Sequence, residues 1–518
     1  MPDHAFQDVC CSLADLVGDG YVRAVCAARA AVSGEDEAAL LALATTPVDF
    51  FPRAFQQRLS AMLPKVGESI ISPVPPTAVG ATTKSFAAAT HTALAPVNGF
   101  GYYRVGEDGR LYLLTKSEHY HAPVGHGFPG YQLLEIARRL GIPNATHNNT
   151  RGHITRLLEE ALTAAAGNGL DRVLNLETGS LAVEAALKMI LARFYRVQED
   201  AEPPSYAGHV PVILVMGSDD GGPQANYHGT TLFTQLMRGM WPELAVGMER
   251  AGQFAVLPIR PNRLEDVEAA FATYDGHSAG KIAGFFHEII MMNYGARRLT
   301  PEFLRAVYRL CAAHDVPTVV DEIQSCMWAP GFFLFREWGL TPTFAAVGKG
   351  FPGGEYPASR LIFTGAMDNL PQFGALVTNG QEELASLAYL ITMRWAAANA
   401  AVTRAIGDAY ETRLRDFAAR HPDVMSGADG HRHLSSLCFH ALPAAKAFCA
   451  ALTAMGLDIS VQAYKAECPP VVLTKLPLIA GMDVVELVVE KMEAAVAHLS
   501  AQSPPLYRGG SPGAWALQ

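Results

Sequence analysis

A lysine flanked by glycines, Lys349, stands at the end of an apolar run. Residues 345–347 predict a buried strand, and Gly348 and Gly350 leave room beside the lysine for a bound group. An ammonium group next to buried strands costs free energy unless it is neutralised or used covalently. Desolvation also lowers the pKa of a lysine amine, which suits the formation of a Schiff base with a carbonyl compound. The pattern therefore predicts a nucleophilic lysine.

A carboxylate ends a second apolar run upstream of the lysine. Residues 316–320 predict a buried strand, which places Asp321 at its carboxyl end and Glu322 and Gln324 just after it. An aspartate in this place also caps helices, so by itself it indicates little. Ligands of parallel sheets lie beyond the carboxyl ends of the strands. We therefore expect Asp321 and Lys349 to face one site.

Two further segments could hold an anion and a planar ring. The turn from Asn175 to Ser180 joins an apolar run to a predicted helix, Leu181 to Phe194, whose free N–H groups and dipole favour a phosphate. In Tyr227-His228-Gly229 an aromatic side chain stands next to glycine, where it could stack on a ring. Each of these segments alone is common in α/β proteins without a ligand.

The elements that must position these residues alternate after residue 100. Short apolar runs, which are typical of strands buried on both faces, follow helical stretches. They lie at residues 172–176, 212–216, 282–286 and 316–320. The alternation predicts an α/β protein with a mostly parallel sheet covered by helices.

Composition excludes several classes of protein. About half of the 518 residues are apolar, so the chain can bury a large core, and the formal net charge of −10 argues against binding to nucleic acid. The sequence contains no run of about 18 apolar residues, which is the length that a transmembrane helix needs. The start of the chain does not resemble a signal peptide, and the cysteines have no framework spacing, so we expect a cytoplasmic protein with reduced thiols.

The N-terminal part looks different from the rest. Residues 24–44 are rich in Ala and Leu at helical spacing, and residues 72–76 contain successive prolines that forbid a helix. We expect a helical extension and arm over residues 1–90.

In chain order the four segments resemble the class III aminotransferases, a family of fold-type I enzymes that depend on pyridoxal 5′-phosphate (PLP). The resemblance covers roughly residues 95 to 500, and the block from Asp321 to Gly350 is its most specific part. Shorter family motifs match residues 108–112, 125–129 and 182–188.

The resemblance implies a domain plan. After the extension, residues 91–130 and 396–505 would build a small α/β domain, residues 131–395 a large PLP-binding domain with a mostly parallel sheet, and residues 506–518 a tail.

The resemblance also implies a role for each matched residue. Lys349 would carry PLP as a Schiff base and then move protons as general acid and base, and Asp321 would pair with the pyridinium nitrogen. The other cofactor-binding residues would be Gly179 and Ser180 at the phosphate, Tyr227 and His228 at the ring, Glu288, which matches the glutamate of the family's Glu-Pro motif, Gln324 near the ring hydroxyl, and Thr378 at the phosphate of a neighbouring subunit. No metal is expected.

The departures from the family pattern lie on the substrate side. Asn293 replaces a gating glutamate, and Lys475 stands where the family has an arginine that clamps a carboxylate. Arg297 and Arg298 are either a new substrate site or a solvated loop. Two histidine pairs, 119 with 121 and 431 with 433, lack a third ligand at metal-site spacing.

The predicted activity is therefore that of a PLP-dependent aminotransferase, a homodimer that acts on a primary amine or amino acid with a keto acid or aldehyde as acceptor. The same cofactor site would also serve a racemase or epimerase, an aminomutase, a decarboxylase or a lyase. A third alternative is a non-catalytic protein of this fold that binds or regulates a partner, with the N-terminal extension as its interaction module.

Overall fold

The computed structural model of the chain describes residues 5–75, 80–90, 92–116, 122–144, 150–222, 228–274, 279–462 and 469–502. Its strands, labelled in chain order, are β1 Cys10–Cys11, β2 Val48–Asp49, β3 Pro96–Phe100, β4 Tyr103–Gly106, β5 Leu111–Leu114, β6 Arg172–Leu176, β7 Val210–Met216, β8 Ala255–Ile259, β9 Gly280–His287, β10 Ile290–Met291, β11 Arg297–Arg298, β12 Thr318–Asp321, β13 Phe344–Val347, β14 Ser359–Phe363, β15 Met425–His431, β16 Leu434–Phe439, β17 Leu457–Asp458, β18 Ser460–Gln462 and β19 Val471–Thr474.

The helices alternate with these strands. The α-helices are Leu13–Val17, Asp19–Ser33, Glu37–Thr45, Arg53–Met62, Lys84–Ala89, Gln132–Arg139, His153–Ala166, Gly179–Leu191, Leu232–Leu236, Pro242–Arg250, Leu264–Tyr274, Pro301–Ala313, Leu334–Glu337, Glu383–Ala398, Ala400–Arg420, Leu442–Ala454 and Met482–Gln502. Short 3₁₀ turns are Leu63–Lys65, Thr92–Leu94, Pro129–Tyr131 and Gly365–Met367. Within the described residues, none of these helices is long and apolar enough to cross a bilayer.

A seven-stranded sheet forms the centre of the molecule, in the order β6-β14-β13-β12-β9-β7-β8. Its strands β13, β12, β9, β7 and β8 pair in parallel, whereas β14 runs antiparallel between β13 and β6. Strands β7, β9, β12 and β13 are buried almost throughout because helices cover both faces. The four strands predicted from apolar runs are confirmed as β6, β7, β9 and β12.

Two smaller sheets flank the central one. The first has the order β17-β5-β4-β3, and Leu457 of β17 pairs in parallel with Leu113 of β5. Segments from the N-terminal and C-terminal parts of the chain thus share one sheet. The second has the order β15-β16-β19-β18, with antiparallel pairs throughout.

The N-terminal helices pack into the core of the molecule. Phe51 contacts Phe128 and Trp395 with ring centroids 6.4 Å and 6.0 Å apart, and Tyr103 donates a hydrogen bond to the Leu59 carbonyl at 2.7 Å. The helix expected over residues 24–44 is two helices, because Gly34 adopts a left-handed conformation (φ +77°) and ends the first.

Candidate active site

The carboxyl ends of the central strands surround a cavity of about 300 Å³. The residues after β6, β9, β12 and β13 line it, together with the start of the antiparallel strand β14. Its lining consists of Glu177, Thr178, Gly179, Ser180, His228, Gly229, Glu288, Asp321, Ile323, Gln324, Lys349, Tyr356, Pro357, Ala358 and Ser359. The cavity therefore brings together residues that lie far apart in the sequence.

Asp321 ends β12 and is held on both carboxylate oxygens. The Oδ2 atom lies 2.9 Å from Nδ1 of the buried His228, and Oδ1 accepts a hydrogen bond from the Ile323 backbone N–H at 3.0 Å. Because a carboxylate only accepts, the Nδ1 atom of His228 carries the proton of this pair. The arrangement keeps one carboxylate fixed at the cavity wall.

Lys349 follows β13 with a positive φ of +40°, a conformation that residues other than glycine adopt at a cost in free energy. Burial lowers the pKa of its amine, against the opposing effect of Glu288 and Asp321. A lowered pKa increases the fraction of neutral amine, which is the form that attacks a carbonyl carbon. Lys349 is therefore tuned towards a nucleophile.

The turn before the helix Gly179–Leu191 forms a cradle. Thr178 caps the helix by accepting a hydrogen bond from the Leu181 N–H, and the first two helical residues, Gly179 and Ser180, line the cavity. The N–H groups of a first helical turn have no partner within the helix, which suits them to bind an anion. A Cβ on Gly179 would lie 2.8 Å from the Ile323 side chain, so any larger residue there would require Ile323 to shift. Ser180 Oγ accepts a hydrogen bond from the Thr230 N–H at 3.0 Å, which ties the cradle to the segment after His228.

Glu288 and Gln324 also line the cavity. Both are buried, with exposed fractions of 2% and 4%. The Oε1 atom of Gln324 has no hydrogen-bond partner within the described part of the chain, although it is buried. A buried acceptor of this kind is normally satisfied, so it indicates a missing donor in the cavity.

Seven of the nine residues predicted for the site line this one cavity: Gly179, Ser180, His228, Glu288, Asp321, Gln324 and Lys349. Tyr227 lies outside the described residues, so its prediction stays open. Thr378 does not line the cavity of its own chain and is exposed, while Gln381, nearby in the same loop, is 3.2 Å from the Asn175 side chain.

Sequence reasoning missed part of the lining. Glu177, Ile323 and the segment from Tyr356 to Ser359 all reach the cavity. Strand β14 runs antiparallel to β6, so its first residue, Ser359, pairs with Leu176 at the end of β6 that faces the cavity. A short apolar run in the sequence does not indicate in which direction the strand will run. Only the position of Ile323 next to Asp321 could have suggested its role.

The residues that depart from the family pattern lie elsewhere. Asn293 is outside the cavity lining. Arg297 lies 3.4 Å from Asp219 and 3.7 Å from Asp429, and Arg298 lies 3.6 Å from Glu411, so the arginine pair takes part in structural ion pairs.

Of the two histidine pairs, only His431 and His433 lie within the described residues. Residues 119 and 121 are outside the described part of the chain. His431 lies 3.4 Å from Glu411, and His433 is fully buried, which lowers its pKa to about 3 and keeps it neutral. The described residues contain no group of three side chains suited to a metal ion.

Comparison with known proteins gives a family and relatives. The family model described as aminotransferase class-III matches residues 86–496. An ornithine aminotransferase of Schizosaccharomyces pombe is 28% identical over 267 residues, which cover 49% of this chain and 55% of that protein. An acetylornithine/succinyldiaminopimelate aminotransferase of Yersinia pestis is 30% identical over 38% of this chain and 42% of its own length. The chain thus matches about half the length of these curated relatives.

The fold has relatives of known structure. The crystal structure of an ornithine aminotransferase from Toxoplasma gondii superimposes with a TM-score of 0.62 at 19% identity, over 78% of this chain and 91% of that one. At this identity the likeness concerns the fold alone, and it confirms the predicted α/β class.

Proposed function

The chain belongs to the class III aminotransferases, with the fold-type I architecture of that family, and on that premise we propose that it is a PLP-dependent aminotransferase. The observation that supports this most strongly is the convergence of Lys349, Asp321 and the cradle at Gly179 in one cavity. Each of the three features alone is common, but PLP chemistry needs all three within the length of one cofactor.

The cavity fits PLP on the residues that line it. The N–H groups of Gly179 and Ser180 would hold the phosphate, and Asp321 would face the pyridine nitrogen. The buried Oε1 atom of Gln324 would receive the ring hydroxyl, which gives it the partner that it lacks within the described residues. When bound, PLP supplies an electron sink for the negative charge that develops beside the substrate nitrogen.

The protein's own groups divide the remaining work. Lys349 would hold the cofactor covalently, and its Nζ atom would then move the proton on and off the substrate carbon. His228 holds Asp321 in place through the 2.9 Å contact, and the carboxylate would in turn favour a proton on the ring nitrogen of bound PLP. The resemblance adds Tyr227 as a stacking partner of the ring.

We propose that the enzyme is a homodimer with sites shared between subunits. The exposed Thr378 would reach the phosphate of the partner subunit, since it does not line its own cavity. The proposed domain division is the extension 1–90, a small domain from 91–130 and 396–505, a large domain 131–395 and the tail 506–518. We also propose that the protein works in the cytoplasm.

The substrate class follows from the charges around the cavity. Among its described lining residues, Glu177, Glu288 and Asp321 are acidic, Lys349 and His228 are basic, and none is an arginine. We propose a primary amine or an amino acid whose far end is not held by an arginine fork, with a keto acid or aldehyde as acceptor. The names of the relatives point to ornithine and acetylornithine as amines to test first.

Borohydride reduction of the purified protein, followed by peptide mapping, tests the site. We expect a pyridoxyl label on Lys349 and none in Lys349→Ala, which should fold and lose turnover. Lys188→Ala, which removes an exposed lysine in the helix that follows the cradle, is the matched control. It should keep both the pyridoxyl label on Lys349 and the turnover. A label on another lysine would overturn the assignment.

A panel of amine donors, with and without keto acids, tests the reaction. A racemase, aminomutase, decarboxylase or lyase would turn over without an acceptor, whereas transamination needs one. We expect glutamate to be a poor donor because Asn293 and Lys475 replace the family's gate and clamp. Glutamate and 2-oxoglutarate as the best pair would contradict this interpretation.

A further inference from the structure

Lys475 is a second lysine close to the cavity, but it does not line it. It follows β19 and is fully buried, with an exposed fraction of 0%. Its Nζ atom donates a hydrogen bond to the Gln324 carbonyl at 2.5 Å and lies 3.6 Å from the centroid of the Trp328 ring. The side chain therefore points at the turn that follows Asp321.

That turn, residues 324–328, packs directly on the turn that carries Lys349. Cys326 Sγ lies 3.3 Å from the Gly348 carbonyl, and a Cβ on Gly350 would come within 2.7 Å of the Trp328 ring. The two turns thus meet on both sides of Lys349. The indole N–H of Trp328 also donates to the Leu476 carbonyl at 3.0 Å, which fixes the ring against the segment that holds Lys475.

From these contacts, and resting on the proposed function, we propose that Lys475 is a positioning residue for the reaction at Lys349. It acts as a buried hydrogen-bond donor that holds the 324–328 turn against the turn that carries Lys349. It does not act as a cation that binds a substrate carboxylate. The strained φ of +40° at Lys349 needs such support, because strained residues persist only where their surroundings fix them.

The charge of Lys475 agrees with this role. Burial and the nearby Lys349 lower its pKa well below the ordinary value. An uncharged amine can still donate to a carbonyl and to the face of an indole ring. The ionisable groups that interact with it are Lys349, Cys326, Glu288 and, from the β15–β16 hairpin, His433.

Two substitutions separate the two possible roles. Lys475→Met keeps the length of the side chain and removes the donor, whereas Lys475→Arg keeps donors and adds a permanent charge beside Lys349. The first readout is competitive acylation of the apoenzyme over a range of pH, with Lys349 quantified by peptide mass spectrometry. It requires no cofactor, so it remains informative if the proposed function fails. The second readout is the rate at which apoenzyme takes up PLP and the absorption of the product.

We expect Lys475→Met to leave the acylation midpoint of Lys349 unchanged, because no charge is lost, and to slow PLP uptake about tenfold, because the lysine turn loses its support. Lys475→Arg should shift the midpoint to lower pH and acylate Lys349 about tenfold faster at a fixed pH below it.

Lys491→Met is the matched control. Lys491 also donates to backbone carbonyls, those of Val66 and Met455, but lies in the helix Met482–Gln502 away from the cavity. It should leave both readouts unchanged, which separates positioning from general loss of stability. A midpoint that rises in Lys475→Met would show a charged Lys475, and unchanged PLP uptake in that variant would show that the contact positions nothing. Either result overturns the proposal.

Discussion

At the scale of single residues, two neighbouring carboxylates have opposite surroundings. Asp321 faces the cavity and is bound by His228, whereas Glu322 is fully buried and turned away from it. Glu322 accepts hydrogen bonds from Ser325 at 2.7 Å and from the Phe335 N–H at 2.6 Å, so it caps the short helix after Phe333. The first residue should therefore control chemistry and the second stability.

We predict that Asp321→Asn lowers the turnover rate by roughly two to three decades. Removing one partner of a buried ion pair costs about 3–5 kcal/mol, and each 1.36 kcal/mol is a factor of ten in rate. Steady-state kinetics with the best amine donor measures the loss. Glu322→Gln is the neighbouring control and should lose far less. A rate like that of the wild type, with an intact cofactor spectrum, would show that Asp321 does not face the ring nitrogen.

Glu322 should also give the protein a characteristic pH dependence. Burial raises the pKa of Glu322 from 4.5 to about 7, so between these values the folded protein binds a proton that the unfolded chain does not. Stability is then gained as the pH falls from about 7 to 4.5 and is lost as it rises, by about 3 kcal/mol in total. The free energy of unfolding, measured with urea at pH 5 and pH 7, should fall more between the two pH values in the wild type than in Glu322→Gln. An equal fall in both proteins would contradict the shift.

At the scale of elements, the site depends on the close approach of two turns. Gly350 packs against the Trp328 ring, which is also in contact with the Lys475 amine. The Trp328 ring cannot move away from Gly350 easily, because it is rigid and buried in a well-packed core.

We predict that Gly350→Ala destabilises the protein by about 1–3 kcal/mol, as overpacking in a well-packed core does, and slows the reaction of Lys349 with PLP. Thermal unfolding and the rate of PLP uptake measure the two effects. Gly20→Ala is the control, since a Cβ there meets nothing within 4 Å and the residue is helical. That change should be neutral or stabilising by up to about 1 kcal/mol. If both variants behave alike, the contact between the turns is not tight.

At the scale of the whole molecule, the N-terminal helices and the exposed Thr378 loop matter most. The extension adds aromatic side chains to the core, so its removal would expose Phe128 and Trp395. This argues against a freely mobile interaction module. The Thr378 loop, by contrast, leaves its threonine at the surface.

We predict that the two active sites of a dimer each use residues of both chains. Lys349→Ala and Thr378→Asp should each be inactive alone, the second because a carboxylate repels the cofactor phosphate. In a mixed dimer, one site receives both lesions and the other receives none. Differently tagged chains, purified in tandem after co-expression, should therefore regain activity at one site in each dimer. A mixed dimer that forms and stays inactive would rule out the shared site.

Much of the site was predictable from the sequence because the chemistry imposes local patterns. Lys349 between glycines, Asp321 at a strand end and the turn at Gly179 each carry a signal within a few residues. Parallel strands then require their carboxyl ends to meet at one edge, so the convergence of these residues follows from topology.

Other features were decided only by tertiary structure. The antiparallel direction of β14, which brings Ser359 to the cavity, and the burial of Lys475 behind the site depend on contacts between residues far apart in the chain. A lysine in a sequence suggests a cation that could bind a substrate, but the groups around its amine in the folded protein determine whether it is charged. Here Gln324, Trp328 and Lys349 surround the Lys475 amine. Local sequence determines which groups are present, whereas long-range packing determines their desolvation and therefore what they do.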